Sequence, residues 1–237
     1  MLDLKHAYLI GTILFLPFWL FFYFRRRDLD KKMIEVSLLV GLLAIFWSPY
    51  FWKDYWQPAY LFNFDLMGIR LGGIEDFLYG FFTGGIISVI YDEILGRRIS
   101  MKKKKNHRFL ILFITSILSA FIFHILLFLE VNSIHAAFMS FASFLAVILL
   151  VRKDLLWDSI ISGLFFGLLT LCLSVVYLVF FPGLIQKWWL LHKVSGILLV
   201  GVPIEELVWA FGMGAVAGPL YELMMGLGIA KYKKTQS

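Results

Sequence analysis

The chain has 237 residues, 61% of them hydrophobic, and a mean hydropathy of +0.84. This composition lies well beyond the roughly half-apolar norm of soluble domains, so it excludes an ordinary globular core in water. The formal net charge of +6 comes from cations clustered at the ends of apolar stretches. Such a distribution indicates membrane topology and attraction to anionic lipids rather than nucleic-acid binding.

Seven apolar blocks follow one another along the chain, and each is long enough for a helix that crosses a hydrocarbon core of roughly 30 Å. They are residues 7–24, 33–51, 74–95, 109–129, 134–151, 159–181 and 194–229. The apolar runs are continuous rather than alternating, which excludes membrane-spanning strands. We therefore predict an all-α, polytopic membrane helical bundle with seven transmembrane helices.

Clusters of lysine and arginine follow the first, third, fifth and seventh blocks, so all four clusters lie on one side of the membrane. Because cations near helix ends stay cytoplasmic, we predict a multi-pass protein of the cell membrane with its N-terminus outside and its C-terminus in the cytoplasm. The first block lacks a basic cluster before it and a small-residue cleavage site after it, so we expect it to be retained.

Two pairs of segments align without gaps and indicate an internal repeat. Residues 74–96 match residues 204–226 at six of 23 positions, and residues 26–43 match residues 152–169 at eight of 18. Blocks one to three thus correspond to blocks five to seven, and the odd fourth block makes the two units parallel. We predict a first three-helix repeat in residues 1–98, a basic cytoplasmic loop and linker helix in residues 99–133, and a second three-helix repeat in residues 134–237.

Each repeat carries an acidic pair at the head of its last helix, Glu75 and Asp76 in the first and Glu205 and Glu206 in the second. An ionisable residue within a spanning segment costs at least about 2.5 kcal/mol, so we expect these acids to face a protein interior or a cavity. The alternative is that they are ordinary first-turn capping charges. Carboxylates clustered at low dielectric cannot all ionise, so at least one is expected to hold a proton and to be available as a general acid.

Helical spacing predicts what each acid faces. Glu75 precedes Tyr79 by four residues and Glu205 precedes Trp209 by four, so an aromatic ring lies one turn from each glutamate and could stabilise a cation. The second acid of each pair begins a stripe of small residues that permits close helix approach. If the two stripes meet across the axis between the repeats, the acids come together. The tryptophan-rich segments, residues 47–56 and 188–189, indicate an interfacial aromatic belt first and the mouth of a lipid-side entry second.

The segments GIRLGGIEDFLYGFF and VGVPIEELVWAFG resemble the paired PxE(E/D) signatures of the integral-membrane lycopene cyclases. The resemblance covers most of the chain and implies three membrane helices in each half, with a linker helix between them. It also implies acid-driven closure of the end group of a linear carotene into a six-membered ring, without net redox. By matching positions it assigns catalysis to Glu75, Asp76, Glu205 and Glu206, and we expect substrate contacts from Tyr79, Phe81, Trp209 and Phe211. Gly73 stands where the first signature would have its proline, which leaves the identity of the substrate open.

A proton- or cation-coupled small-molecule transporter with the same arrangement of helices is the alternative function, although Pro17, Pro49 and Pro182 do not form a matched set of helix breaks. The sequence lacks the Asp-rich motif of an isoprenoid transferase. It also lacks the mid-helix lysine of a retinal protein. No G-x-G-x-x-G follows a strand, so no flavin or nicotinamide fold is predicted. We expect no cofactor and no metal ion. The predicted partners are a lipophilic polyene and the bilayer, without nucleic acid, and the oligomeric state stays open.

Overall fold

The computed structural model describes residues 3–94, 100–103 and 108–228. These residues are mostly helical, which confirms the predicted helical class. The helices are α1 (Ala7–Ile13), α2 (Leu16–Arg25), α3 (Asp30–Phe51), α4 (Ile74–Ile94), α5 (Arg108–Phe128), α6 (Ser133–Val151), α7 (Leu156–Phe180), α8 (Leu184–Trp188), α9 (Ile204–Ala217) and α10 (Leu220–Met225).

Short antiparallel strand pairs accompany the helices. They are β1 (Asn63–Leu66) with β2 (Ile69–Gly73), β3 (Ser100–Lys103) with β6 (Leu227–Gly228), and β4 (Leu198–Leu199) with β5 (Val202–Pro203). Two of these pairs are hairpins that directly precede α4 and α9. Each of these hairpins is therefore followed directly by a helix whose first turn carries an acidic pair.

Six helical segments in the described ranges are long and apolar enough to cross a membrane. They are Leu4–Arg25, Arg27–Phe51, Ile74–Ile94, Ser133–Val151, Lys153–Phe180 and Ile204–Met225. These segments correspond to six of the seven predicted blocks and support a multi-pass membrane protein. The linker helix α5 provides a shorter apolar stretch, Leu112–Phe128, so the count of seven spanning helices stays a prediction.

The start of the last apolar block, residues 194–203, is not helical. The apolar stretch before Pro203 predicts a broken or re-entrant segment, and these residues form the β4–β5 hairpin and its approach, so that α9 begins only at Ile204. The hairpin reverses direction at Val200 and Gly201, which both have positive φ. Ile197 and Val200 are more than half exposed. The sequence thus predicts a break before the acidic pair but not that the break is a hairpin.

The small-residue stripe of α4 packs against α3 and that of α9 packs against α7, rather than against each other. A Cβ atom at Gly80 of α4 would lie 2.7 Å from the carbonyl oxygen of Val40 on α3. A Cβ atom at Gly214 of α9 would likewise lie 2.7 Å from the carbonyl oxygen of Ser162 on α7. Contact between the stripes is therefore not what brings the two acidic pairs toward each other. The stripes instead allow α3 and α7 to approach the helices that carry the acids.

A buried charge cluster joins α3, α4, α7 and α10 at the other end of α4. Lys32 of α3 is 2% exposed, and its Nζ atom lies 2.9 Å from Asp92 Oδ2 of α4 and 2.5 Å from Glu222 Oε1 of α10. Asp158 of α7 is also buried, accepts a hydrogen bond from Ser162 and interacts electrostatically with Lys32. The aligned segments pair position 32 with position 158 and position 92 with position 222. One lysine therefore binds two acids that occupy aligned positions of the sequence.

Replacing Lys32 by methionine should lower the free energy of unfolding by about 3–5 kcal/mol, because the change leaves buried carboxylates without their cation. Because Lys32 and Asp158 occupy aligned positions of one cluster, the double exchange Lys32→Asp with Asp158→Lys should recover most of that loss. Unfolding in detergent, followed by circular dichroism, measures both effects. Equal stability of Lys32→Met and the unmodified chain would contradict a role for this cluster in holding the units together.

Candidate active site

The first acid of each pair binds the backbone of the segment that leads into the preceding hairpin. Glu75 Oε1 accepts hydrogen bonds from the amides of Leu61, at 2.7 Å, and Phe62, at 3.4 Å. Glu205 Oε1 accepts one from the amide of Ser195, at 2.9 Å. Side chains at the head of a helix lean toward its N-terminus, so these carboxylates reach backward to the loop rather than forward to the next turn. Both are buried, and neither lines the cavity described below.

The second acid of each pair faces a cavity between the helices. Asp76 accepts a 2.5 Å hydrogen bond from the Tyr8 hydroxyl on Oδ1 and a 2.8 Å hydrogen bond from the Gly73 amide on Oδ2. Glu206 accepts two hydrogen bonds on Oε1, each 2.7 Å long, from the Tyr55 hydroxyl and from Nε1 of Trp189. Asp76 and Glu206 thus occupy aligned positions of the repeat but have different hydrogen-bond partners.

The cavity has a volume of about 360 Å³ and is lined mainly by apolar and aromatic side chains of α1, α3, α4, α6, α7 and α9. This size lies within the range of about 300–1,000 Å³ that is common for small-molecule sites. Among the described residues, Asp76 and Glu206 are the only charged side chains on its wall. Ser48 and Phe51 of α3 and Ser174 and Tyr177 of α7, which stand at the same offset in the sequence as the aligned residues 26–43 and 152–169, also line it. Both α3 and α7 therefore contribute to one cavity.

The aromatic residues predicted to contact a substrate separate into two groups. Tyr79 and Trp209 line the cavity, and their ring centroids are 6.3 Å apart with 33° between the ring planes. Phe81 does not line the cavity and packs against Trp19, with 5.4 Å between the centroids. Phe211 lies against the backbone of Gly163 on the outside of α9 and is 36% exposed. The cavity therefore brings together Asp76, Glu206 and only one of the two predicted aromatic pairs.

Three hydrogen-bond donors to the acids were not among the residues predicted from the sequence. Tyr8 lies 68 positions from Asp76, and Tyr55 lies 151 positions from Glu206, so helical spacing could not connect them. Trp189 and Tyr55 belong to segments that we had assigned first to an interfacial aromatic belt. Burial raises the pKa of the Tyr55 phenol, and Glu206 raises it further. The phenol therefore keeps its proton and donates a hydrogen bond to Glu206.

The structure gives a steric reason for glycine rather than proline at position 73. A Cβ atom at Gly73 would lie 2.5 Å from the carbonyl oxygen of Phe62 and 2.6 Å from Glu75 Oε2. The Gly73 amide also donates to Asp76, and proline has no hydrogen to donate. Glycine at this position therefore allows the hairpin to approach the acidic pair closely and supplies one of the hydrogen bonds of Asp76.

A family model described as lycopene cyclase matches residues 5–94 and 132–224, which together make up most of the chain. The chain belongs to the lycopene cyclase family. The two matched segments contain one acidic pair each and flank α5, which lies in the unmatched interval. Comparison with curated proteins finds no match, and comparison with solved structures finds none either. Family membership indicates an enzyme of carotenoid cyclisation with a carotenoid substrate, and gives no support to the transporter alternative.

Replacing Gly73 by proline, the residue found at the aligned position 203, should harm this protein. We expect a loss of about 2 kcal/mol or more in the free energy of unfolding, because the change adds a steric clash and removes a hydrogen bond to a buried carboxylate. The matched change Pro203→Gly should cost at most about 1 kcal/mol, mainly through the entropy of the unfolded chain. Thermal unfolding in detergent compares the two. A Gly73→Pro variant at least as stable as the unmodified protein would show that glycine is not required here.

Proposed function

We propose that the protein closes an end group of a linear carotenoid into a six-membered ring inside the cavity, with Glu206 as proton donor and Asp76 as the opposing carboxylate. The observation that carries this proposal is that the second acids of both pairs are the charged groups on the wall of one largely apolar cavity. Such a wall suits a hydrocarbon substrate, and a carboxylic acid is the group that a cyclisation started by protonation needs.

The reaction balances without a redox partner. Glu206 transfers a proton to the terminal double bond, which leaves a tertiary carbocation. The neighbouring double bond attacks that cation, so that a carbon–carbon bond closes the ring and the positive charge moves into the ring. Loss of a ring proton to the Asp76 carboxylate restores a double bond. The product is an isomer of the substrate, and exchange with water returns the proton to Glu206. We therefore assign the activity to an isomerase of the intramolecular-lyase type.

The hydrogen bonds support these two different roles. Both donors to Glu206 bind Oε1, which leaves Oε2 to carry a proton toward the cavity. Asp76 accepts a hydrogen bond on each oxygen, an arrangement that favours the ionised carboxylate and suits a proton acceptor. Glu75 and Glu205, which the family signature would also assign to catalysis, are proposed to hold the two hairpins in place.

The rings of Tyr79 and Trp209 are proposed to stabilise the carbocation. Each belongs to a helix that carries one of the two acids, and both line the cavity. The face of an aromatic ring attracts a cation within about 6 Å of its centroid, more strongly where water is excluded. The two rings can therefore lower the energy of the charged intermediate without forming a bond to it.

We infer that the protein is organised as two parallel three-helix units, residues 1–98 and 134–237, with α5 in the linker of residues 99–133. The alignment of the two acids across one cavity supports this organisation. The lysine and arginine clusters support an orientation with the N-terminus outside and the C-terminus in the cytoplasm. In that orientation the cavity lies toward the outer half of the membrane, where the polyene is dissolved in lipid.

Glu206→Gln should reduce turnover by at least about 10²-fold, since it removes the proton donor but keeps the hydrogen-bond acceptor on the side chain. The matched control Glu205→Gln retains an acceptor for Ser195 and should stay within a few-fold of the unmodified protein. Co-expression of each variant in lycopene-producing cells, followed by chromatography of the pigments, compares them. Membrane insertion is checked in the same cells by immunoblotting.

Three outcomes would contradict parts of this assignment. An unmodified protein that is inserted in the membrane and leaves lycopene unchanged excludes cyclisation of that substrate. Full activity of Glu206→Gln excludes Glu206 as the donor. A loss in Glu205→Gln as large as that in Glu206→Gln excludes the separation of a structural glutamate from a catalytic one.

A further inference from the structure

We infer that the substrate enters sideways from the lipid through a portal between α1 and α7, gated by Gly11 and Tyr177, and that α5 closes the equivalent crevice between α3 and α6. This inference rests on the proposed function, since it takes a long carotenoid as the occupant. It adds the route of that occupant into the cavity and the reason for the linker helix.

The cavity is too small to enclose the whole substrate. A volume of 360 Å³ equals that of a sphere about 9 Å across. A C40 polyene in its extended form is about as long as the hydrocarbon core is thick, roughly 30 Å. Only an end group therefore fits inside, and the remaining chain must leave through an opening in the wall. Because that chain is apolar, the opening should face lipid.

Lining residues on two sides of the cavity suggest two possible openings. On one side, Gly11 of α1 and Leu14 just after it line the cavity together with Ser174 and Tyr177 of α7, and Gly11 lies close to the Tyr177 ring. On the other side, the predicted repeat puts α3 in the place of α7 and α6 in the place of α1. A scaffold of two similar units thus offers two possible openings, and the chain outside the repeat decides which of them is used.

The linker helix α5 lies over the crevice between α3 and α6. Phe123 of α5 is 1% exposed, reaches the cavity wall and packs edge-on against Trp47 of α3, with 4.7 Å between the ring centroids. On the α6 side, Ser140 Oγ donates a 3.0 Å hydrogen bond to the carbonyl oxygen of Ser119. The Phe123 ring contact with α3 and the Ser140 hydrogen bond with α6 therefore hold α5 across this opening.

The crevice between α1 and α7 is lined by partly exposed residues and surrounded by apolar surface, as an entrance from lipid would be. Gly11, Leu14, Ser174 and Tyr177 line the cavity there, and all four are only half-buried. The surrounding surface is apolar, because nearby side chains such as Val176 and Val179 are 46% and 76% exposed. A hydrocarbon chain that leaves the cavity on this side would meet apolar side chains and then lipid.

Gly11 and Tyr177 set the width of this crevice. A Cβ atom at Gly11 would lie 3.1 Å from Cζ and 3.3 Å from the hydroxyl oxygen of Tyr177. The Tyr177 hydroxyl is buried without a hydrogen-bond partner among the described residues, and the ring packs against Phe181 with 5.1 Å between the centroids. No hydrogen bond then has to break when the ring swings aside. The absence of a side chain at Gly11 leaves the space through which the polyene passes.

Substitutions that change the side-chain volume at Gly11 and Tyr177 test this route in proteoliposomes. Gly11→Leu should lower the initial rate with the full-length carotene about tenfold, equivalent to ~1.4 kcal/mol in the barrier, by narrowing the crevice. The rate with a truncated analogue that consists of one end group alone should change less than about twofold, because that analogue fits inside the cavity. Tyr177→Ala in the Gly11→Leu background should restore the rate with the long substrate.

Leu42→Phe is the matched control, since Leu42 of α3 is 51% exposed and does not line the cavity. It should leave both rates within about twofold of the unmodified protein. A second readout, the association rate of the carotene measured by quenching of tryptophan fluorescence, does not depend on turnover. It should also fall about tenfold in Gly11→Leu and be unchanged in Leu42→Phe.

The outcomes separate the portal from the proposed function. Binding of carotene that is slowed by Gly11→Leu, without ring closure by the unmodified protein, supports the portal and overturns the function. Ring closure that is unaffected by Gly11→Leu supports the function and overturns the portal. A loss in Leu42→Phe as large as that in Gly11→Leu shows a general effect of added bulk on the lipid-facing surface, and an equal loss for long and truncated substrates in Gly11→Leu shows damage to the site; either result overturns the portal.

Discussion

A carboxylate buried in a membrane bundle must be hydrogen-bonded, and much of this structure follows from meeting that requirement for four acids at once. Two of the acids, Glu75 and Glu205, bind backbone amides just before the hairpins and so fix the position of each hairpin at the start of the following helix. The other two, Asp76 and Glu206, take their hydrogen bonds from aromatic residues and from Gly73. Each hairpin is thereby placed so that the next residue along the helix faces the cavity.

Aligned positions of the two sequence segments supply different groups to one cavity. Asp76 and Glu206 occupy aligned positions, but one accepts hydrogen bonds on both oxygens and the other on a single oxygen. A similar asymmetry appears at the opposite end, where Lys32 aligns with Asp158 and one cation binds acids from both units. Aligned positions thus lie close together, and substitutions between them place a cation opposite an anion and, in the proposed reaction, a proton donor opposite a proton acceptor.

Much of the fold could be predicted from the sequence, because apolar blocks and acids in register are local signals. The beginning of α4 and of α9 at the acidic pairs is an example. A break before Pro203 could also be predicted, but the β4–β5 hairpin that forms it could not, since its residues are as apolar as those of a helix. The predicted neighbours of Glu75 and Glu205 illustrate a second limit. Spacing of four residues placed an aromatic ring beside each glutamate, but first-turn side chains lean toward the N-terminus and find the hairpin amides instead. Tyr8 and Tyr55 were missed because tertiary packing alone brings them to the acids.

The central claim is that one carboxylic acid adds a proton to the substrate and a different carboxylate removes another, with water as the source that reloads the donor. Turnover of a carotene by the purified protein in proteoliposomes made up in heavy water, with mass spectrometry of the product, tests this most directly. The account predicts one deuterium for every ring that closes, and none in substrate that has not reacted. Rings that form at the normal rate without deuterium would contradict it, because the proton would then not come from a donor that exchanges with water.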